Sequence, residues 1–268
     1  MRAKRILVTG GNSFIAKTIV ASNIFSNYQI WHPQKEILDI SNEKMTEGAI
    51  ASFSPDFIIH CACRGGSYAK NNINSYEYNI KMLNNLLSCS NYYKKLIVFG
   101  SGIEKSELNL ISPAMEYYYW AKIASRDLCL NNNKIIKINL FGCFGEFEDT
   151  KRFISTCIVK CLKNEDIIIS EDRLFDFFYS EDVVRIIKHL IDNIPENYLE
   201  FDACYNDKFY LSNIAMLIRN LMNSNNKIII NSIRENYIGG DHKFNLDLYG
   251  VENGVAKMID IITKRNNN

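Results

Sequence analysis

Residues 5–11 read Arg-Ile-Leu-Val-Thr-Gly-Gly, an apolar run closed by two glycines. Asn12 and Ser13 follow, and then Phe14, Ile15, Ile19 and Val20 recur at helical spacing. Strand, glycine turn and helix make the first βα step of a parallel sheet. That geometry aims backbone N–H groups and a helix N-terminus at an anion beyond the strand, a pyrophosphate among them. The glycine pattern is partial. Gly10 is present, while Ser13 and Ala16 stand at the later glycine positions, both small enough for close backbone approach.

The alternation continues. A short strand at Tyr28–Trp31 leads into Glu36–Ile40, and Pro55–Cys63 is apolar enough to be buried on both faces, as a parallel strand must be. A helix over 75–90, a strand over Lys95–Ser101, a helix over 116–131 and a strand over 134–139 follow. This predicts an α/β chain: a Rossmann-type doubly wound parallel sheet over residues 1–140. After Asn139 the texture changes to a glycine-punctuated loop at Phe141–Glu146 and then shorter pieces. Those pieces are helices near 150–163, 180–192, 211–222 and 253–263, and strands near 167–169, 175–179, 201–204 and 227–231. They predict a smaller, discontinuous α/β C-terminal domain over 141–268, with segments near 174–206 returning to the main sheet. Lys264–Asn268 reads as a frayed end.

Composition narrows the function classes. The chain has 268 residues and a net charge of +1, with no basic run for nucleic acid and no acidic tail. Its eight cysteines are scattered and mostly inside apolar runs, which predicts buried free thiols in a reducing compartment. Four histidines far apart in sequence give no metal-ligand pair. No apolar stretch reaches membrane-spanning length, and the chain enters a strand within five residues of Met1. A cytoplasmic enzyme with no metal, membrane or nucleic-acid partner is the expectation.

Chemistry concentrates at Tyr117-Tyr118-Tyr119-Trp120-Ala121-Lys122. On a helix, Tyr118 and Lys122 share one face about a turn apart. A phenol titrates near 10, and a fixed ammonium beside it favours the phenolate. Ser101, at the end of an apolar strand, supplies a hydroxyl. After the second strand, Trp31-His32-Pro33-Gln34-Lys35 contains no carboxylate to grip ribose hydroxyls, and it offers His32 and Lys35 to a 2′-phosphate. NADP(H) is therefore favoured, with NAD(H) the alternative.

These residues together resemble the extended short-chain dehydrogenase/reductases, the NAD(P)-dependent nucleotide-sugar epimerase/dehydratase/reductase group. The likeness runs through Ile6–Ala16, Ile59–Cys63, Val98–Ser101, Tyr118–Lys122, Asn139–Gly142 and Asp176–Val184. Cys63-Arg64-Gly65-Gly66, with Asn71 or Asn72 beyond, is similar to GDP-fucose-synthase-type and other nucleotide 4-keto-6-deoxy-sugar reductases. The resemblance implies that Ser101 holds the substrate carbonyl oxygen, that Tyr118 donates the proton, and that Lys122 binds the nicotinamide ribose and depresses the Tyr118 pKa. It implies Gly10, Ser13, Phe14 and Ile15 along the pyrophosphate, Asp39 and Ile40 at the adenine, and Cys61, Ala62, Cys63 and Asn79 in the rest of the cofactor site. Gly102, Asn139, Arg152 and Arg173 would contact a nucleotide-sugar substrate, and a homodimer would form through the two helices flanking the sheet.

Departures from the group refine the expectation. Dehydratases carry an acid two positions after the strand-end hydroxyl, where this chain has Ile103, with Glu104 one out of register. The fucose-synthase type epimerises with a cysteine at that position and a histidine that falls near Lys151 or Arg152. Neither pattern is met, so the resemblance implies an NADPH-dependent 4-keto reductase without C3 or C5 epimerisation, in deoxysugar biosynthesis for surface polysaccharide. The alternatives are an NAD-dependent nucleotide-sugar 4-epimerase and, in another class, a non-catalytic dinucleotide-binding regulatory protein.

Overall fold

A computed structural model describes residues 2–66, 71–241 and 243–266. The first half runs β1 Arg5–Thr9, α1 Phe14–Ala21, β2 Gln29–Trp31, α2 Glu43–Phe53, β3 Phe57–His60, α3 Ile73–Ser88, β4 Lys95–Ser101, α4 Glu116–Cys129 and β5 Ile135–Leu140. The second runs β6 Gly142–Phe144, α5 Phe153–Leu162, β7 Ile167–Ile169, β8 Leu174–Phe175, β9 Phe177–Tyr179 and α6 Ser180–Asp192. It ends with β10 Leu199–Ala203, β11 Phe209–Tyr210, α7 Leu211–Leu221, β12 Ile228–Ile230 and α8 Gly250–Asn266.

Among the described residues the main sheet has six strands in the order β10-β5-β4-β3-β1-β2. β1 pairs in parallel with both β2 and β3, and β3 with β4. The strand order reverses between β1 and β3, which opens a crevice at their carboxyl ends where ligands bind in such sheets. The expected Rossmann-type α/β architecture is the one observed. Its core gathers Leu7, Ile58, Leu96 and Ile135 from four strands with Ile50 of α2 and Leu83 and Leu86 of α3. Each such side chain contributes about 1.5–3 kcal/mol on full burial.

The chain divides into two compact units: Met1–Asn139 with Ile187–Phe201, and Leu140–Ile186 with Asp202–Asn268. In the second unit β6 and β9 pair in parallel, as do β7 and β12, and β8 and β11 pair antiparallel. Phe144, Phe177 and Tyr179 pack with Ile154, Ile158, Ile214, Ile218, Val255 and Met258 of the surrounding helices. Asp182, wholly buried, accepts the backbone N–H groups of Tyr249 and Gly250 and the hydroxyl of Tyr205, and so pins the start of α8.

Several boundaries differ from the sequence reading. α2 was not anticipated: Asn42 caps it by accepting from Met45 N at 3.0 Å, but only Thr46 and Ile50 are buried, so its apolar signal is thin. α3 begins at Ile73 because Asn72 and Ser75 form a reciprocal capping box. The C-terminus is not frayed through Asn266. α8 continues to that residue, and Arg265 pairs with Glu146 at 2.9 Å, while Asn267 and Asn268 lie outside the described residues. All eight cysteines are free, and seven are buried.

Candidate active site

The first unit brings three sequence-flagged groups together. Ser101 ends β4 and is buried, and Tyr118 and Lys122 sit half-buried on α4. The Ser101 and Tyr118 hydroxyls are hydrogen-bonded. Lys122 Nζ lies 5.6 Å from the Tyr118 ring centroid and donates to Phe99 O at 2.7 Å, which ties α4 to the strand that carries Ser101. Burial pushes the Tyr118 phenol up, and this outweighs the downward pull of Lys122 and of the Ser101 bond. Lys122 has the expected sign of effect, and burial more than offsets it, so the phenol stays above its ordinary value. Lys122 itself is held above the ordinary lysine value. Burial opposes its charge, and Tyr118, Cys63 and Glu104 favour it more strongly. At neutral pH the site therefore holds a protonated phenol beside an ammonium.

At the crevice, Gly10 has φ +68°, and a Cβ there would stand 2.6 Å from Ala62 Cα and 2.7 Å from Ala62 N. Only glycine fits so close an approach of β1 to the chain leaving β3. Ser13 caps α1 through its backbone, with Lys17 N donating to Ser13 O at 3.0 Å. The Ser13 Oγ is buried without a hydrogen-bond partner. A glycine cradle, a helix N-terminus and an unpartnered hydroxyl fit the pyrophosphate of a dinucleotide. Phe14 and Ile15 open α1, and Ile40 lies in the core. His60 shares a 2.9 Å hydrogen bond with Thr9, and burial and the nearby Lys122 hold its imidazole neutral, at about 3.

The expected adenosine end is more crowded than the sequence suggests. Asp39 accepts from the Tyr78 hydroxyl at 2.7 Å and from Ser41 Oγ at 2.7 Å, and Lys35 stands 3.6 Å away. Burial would raise its pKa, but the bonds from Tyr78 and Ser41 and the Lys35 charge bring it down to about 2. Lys35 lies 5.1 Å and Arg64 3.7 Å from the Tyr78 ring centroid, so two cations flank one ring. Asn79 bonds the Arg64 backbone at both ends of its amide, each at 2.8 Å, and so fixes the loop after Cys61, Ala62 and Cys63. Sequence reasoning assigned no role to Arg64 or Tyr78. The signal was a lone cation just beyond the β3 carboxyl end.

Gly102 and Asn139 are buried in the first unit, the Asn139 amide donating to Glu200 and accepting from Lys137. Arg152 and Arg173 belong to the second unit. Arg152 donates to Cys143 O at 2.7 Å and pairs with Glu148 at 3.2 Å. The Arg173 guanidinium lies 5.2 Å from the Phe175 ring and 5.7 Å from that of Tyr237, which stack on each other. Its Nε is buried without a partner, and burial and neighbouring Arg234 disfavour its charge. Arg234 was not singled out from sequence, since it becomes relevant only when the isolated bridges Asp172–Ile233 and Phe175–Tyr237 bring its segment beside β8.

The model of the NAD dependent epimerase/dehydratase family matches residues 6–199, most of the chain. The chain belongs to that family. As a member it is an NAD(P)-dependent enzyme of the oxidoreductase type. A GDP-L-colitose synthase from Yersinia pseudotuberculosis is 26% identical over 230 residues, 72% of this chain and 75% of that protein. Among solved structures, a GDP-L-fucose synthetase from Naegleria fowleri bound to NADP has a TM-score of 0.79 at 17% identity, covering 100% of this chain and 95% of that one. A GDP-mannoheptose C4 reductase from Campylobacter jejuni with NADP bound has a TM-score of 0.74 at 16% identity, with 98% and 99% covered. These two likenesses show the fold. Among the described residues no helix is long and apolar enough to cross a membrane, and no cluster of His, Cys, Asp and Glu could hold a metal ion.

Proposed function

We propose that this family member is an NADPH-dependent 4-keto reductase acting on a nucleotide-linked 4-keto-6-deoxy sugar, in deoxysugar biosynthesis for surface polysaccharide. The observation that carries the reading is the Ser101–Tyr118–Lys122 group, with its phenol protonated and its lysine charged. Reduction of a ketone requires a proton at the oxygen as the carbon becomes tetrahedral. Ser101 Oγ would hold the carbonyl oxygen, and the Tyr118 hydroxyl would give up its proton to the developing alkoxide. Lys122 then stabilises the phenolate left behind. NADPH, when bound, supplies the hydride.

Gly10, Ser13, Phe14 and Ile15 would take the pyrophosphate, and Asp39, Ile40, Cys61, Ala62, Cys63 and Asn79 would shape the adenosine and ribose site. Lys35 and Arg64, both beside the Tyr78 ring, would meet the 2′-phosphate, which supports NADPH over NADH. The second unit would bind the substrate, with Arg173 and Arg234 at its diphosphate beside the Phe175–Tyr237 stack. The named activities of the colitose synthase, fucose synthetase and heptose C4 reductase support a nucleotide-sugar substrate.

The residues that would move a proton at C3 or C5 are unfavourable. Ile103 is buried and apolar, Lys151 is exposed, Arg152 is paired, and burial pushes the Cys143 thiol up to about 12. The test is a panel of GDP-, dTDP- and CDP-linked 4-keto-6-deoxy sugars, each with NADPH or NADH. Stoichiometric reduction of one class, faster with NADPH, is expected. No oxidation of either cofactor across the panel would overturn the reading.

A further inference from the structure

β4 runs directly into a tight 3-10 turn, Gly102–Lys105, closed by its own first and last groups. Ile103 N donates to Ser101 Oγ at 3.4 Å, and Ser101 N donates to Glu104 Oε1 at 2.7 Å. An exposed turn would stop there. Here the other carboxylate oxygen, Glu104 Oε2, accepts from Lys137 Nζ at 2.6 Å, with both side chains almost fully buried. Lys137 reaches on to Asn139 Oδ1 at 2.6 Å and Glu200 Oε1 at 2.9 Å, and Asn139 also donates to Glu200. The Glu200 carboxylate accepts from Tyr198 at 2.6 Å.

A buried ion pair is a poor way to gain stability, since an apolar pair of the same volume usually does as well or better. It does fix geometry. The network presses against the β4 backbone one residue before Ser101. A Cβ on Gly100 would overlap Asn139 and come within 2.8 Å of Glu104 Oε1 and Lys137 Nζ.

We propose that Glu104, anchored by the buried Lys137, is a positioning residue for the Ser101–Tyr118 pair. By accepting from the Ser101 backbone it fixes the direction in which the Ser101 hydroxyl leaves β4, and so its register with the phenol on α4. Its charge also acts on the pair. The groups acting on Tyr118 are Lys122 on the same helix, Ser101 at the end of β4, Glu104 in the turn after it, and Cys63 after β3. Lys122 also faces Cys129 and His60, and Lys137 and Glu200 stand behind Glu104. The Glu104 carboxylate opposes ionisation of Tyr118 and favours the charge on Lys122, the protonation states a reductase uses. The activity readout rests on the proposed reduction; the position of Glu104 and its charge do not.

The test uses the full chain labelled with 13Cζ-tyrosine, the Tyr118 resonance being assigned by its loss in Tyr118→Phe. Glu104→Gln keeps an acceptor for Ser101 N and removes the charge. The expected result is a Tyr118 titration shifted measurably downward from that of the parent. In Glu104→Leu/Lys137→Met the pair is replaced by apolar volume and Glu200 keeps Tyr198 and Asn139 as donors, so the fold is expected to hold while Ser101 loses its anchor. With the keto sugar found in the panel, kcat is expected to fall about tenfold or more with KM within about threefold, and Ser101→Ala is expected to abolish that sensitivity. An unchanged Tyr118 titration in Glu104→Gln would overturn the proposal, as would a double variant with kcat within twofold of the parent. If the parent reduces no keto sugar, the reductase reading fails, and the titration still decides the role of Glu104.

Discussion

Tyr118 illustrates how burial and a neighbouring charge compete for one proton. Lys122 lowers the phenol pKa and burial raises it, and burial wins. For an enzyme running as a reductase this is the useful outcome, because the group must arrive with its proton in place. Tyr118→Phe removes that proton and little binding surface. Turnover is expected to disappear while NADPH affinity, by fluorescence titration, stays within a few-fold; near-parental turnover would remove Tyr118 from the mechanism. Ser101→Ala is expected to cost on the order of a hundredfold in kcat through loss of a bond to the developing oxyanion. Tyr118 and Lys122 could be picked out because their chemistry follows from spacing on a helix. Arg64, Tyr78, Glu104 and Lys137 could not. Each matters through partners 14 to 63 positions away in the chain, brought together only by the fold.

At the scale of elements, the turn into α5 carries a titration of its own. Glu148 accepts from Ser155 Oγ at 2.6 Å and pairs with Arg152, yet burial wins and raises its carboxyl from 4.5 to about 6. With the folded-state value the higher one, the folded chain binds more protons between those two pH values. The contribution is present below pH 4.5 and is lost as pH rises through about 6, a change of about 2 kcal/mol. Urea midpoints are expected to fall across that window in the parent chain and to fall less in Glu148→Gln; parallel curves would contradict this. Element type was easiest to read where burial is one-sided or complete, as in β1, β3, β4 and α6. It was hardest for α2, whose buried face amounts to Thr46 and Ile50, and for helix ends set by side-chain caps such as Asn72.

At the scale of the molecule, the exposed aromatic surface of α4 needs an explanation. Tyr117 and Trp120 remain about two-fifths exposed and Leu128 nearly so, although α4 packs on α3. Pairing of two copies through α3 and α4 would cover them, and sedimentation at micromolar concentration is expected to give a dimer; monomer alone would contradict it. The central claim concerns the reaction, and one measurement reaches it most directly. The enzyme is incubated in deuterated water with NADPH and the 4-keto sugar nucleotide proposed as its substrate, and the product is read by mass and proton NMR against a no-enzyme control. The expected result is one NADPH oxidised per sugar reduced at C4, with no enzyme-dependent deuterium on carbon at C3 or C5. Enzyme-dependent deuterium at either carbon would show the proton exchange that epimerisation requires and would contradict the account, and turnover without net NADPH oxidation would show that the enzyme is no reductase.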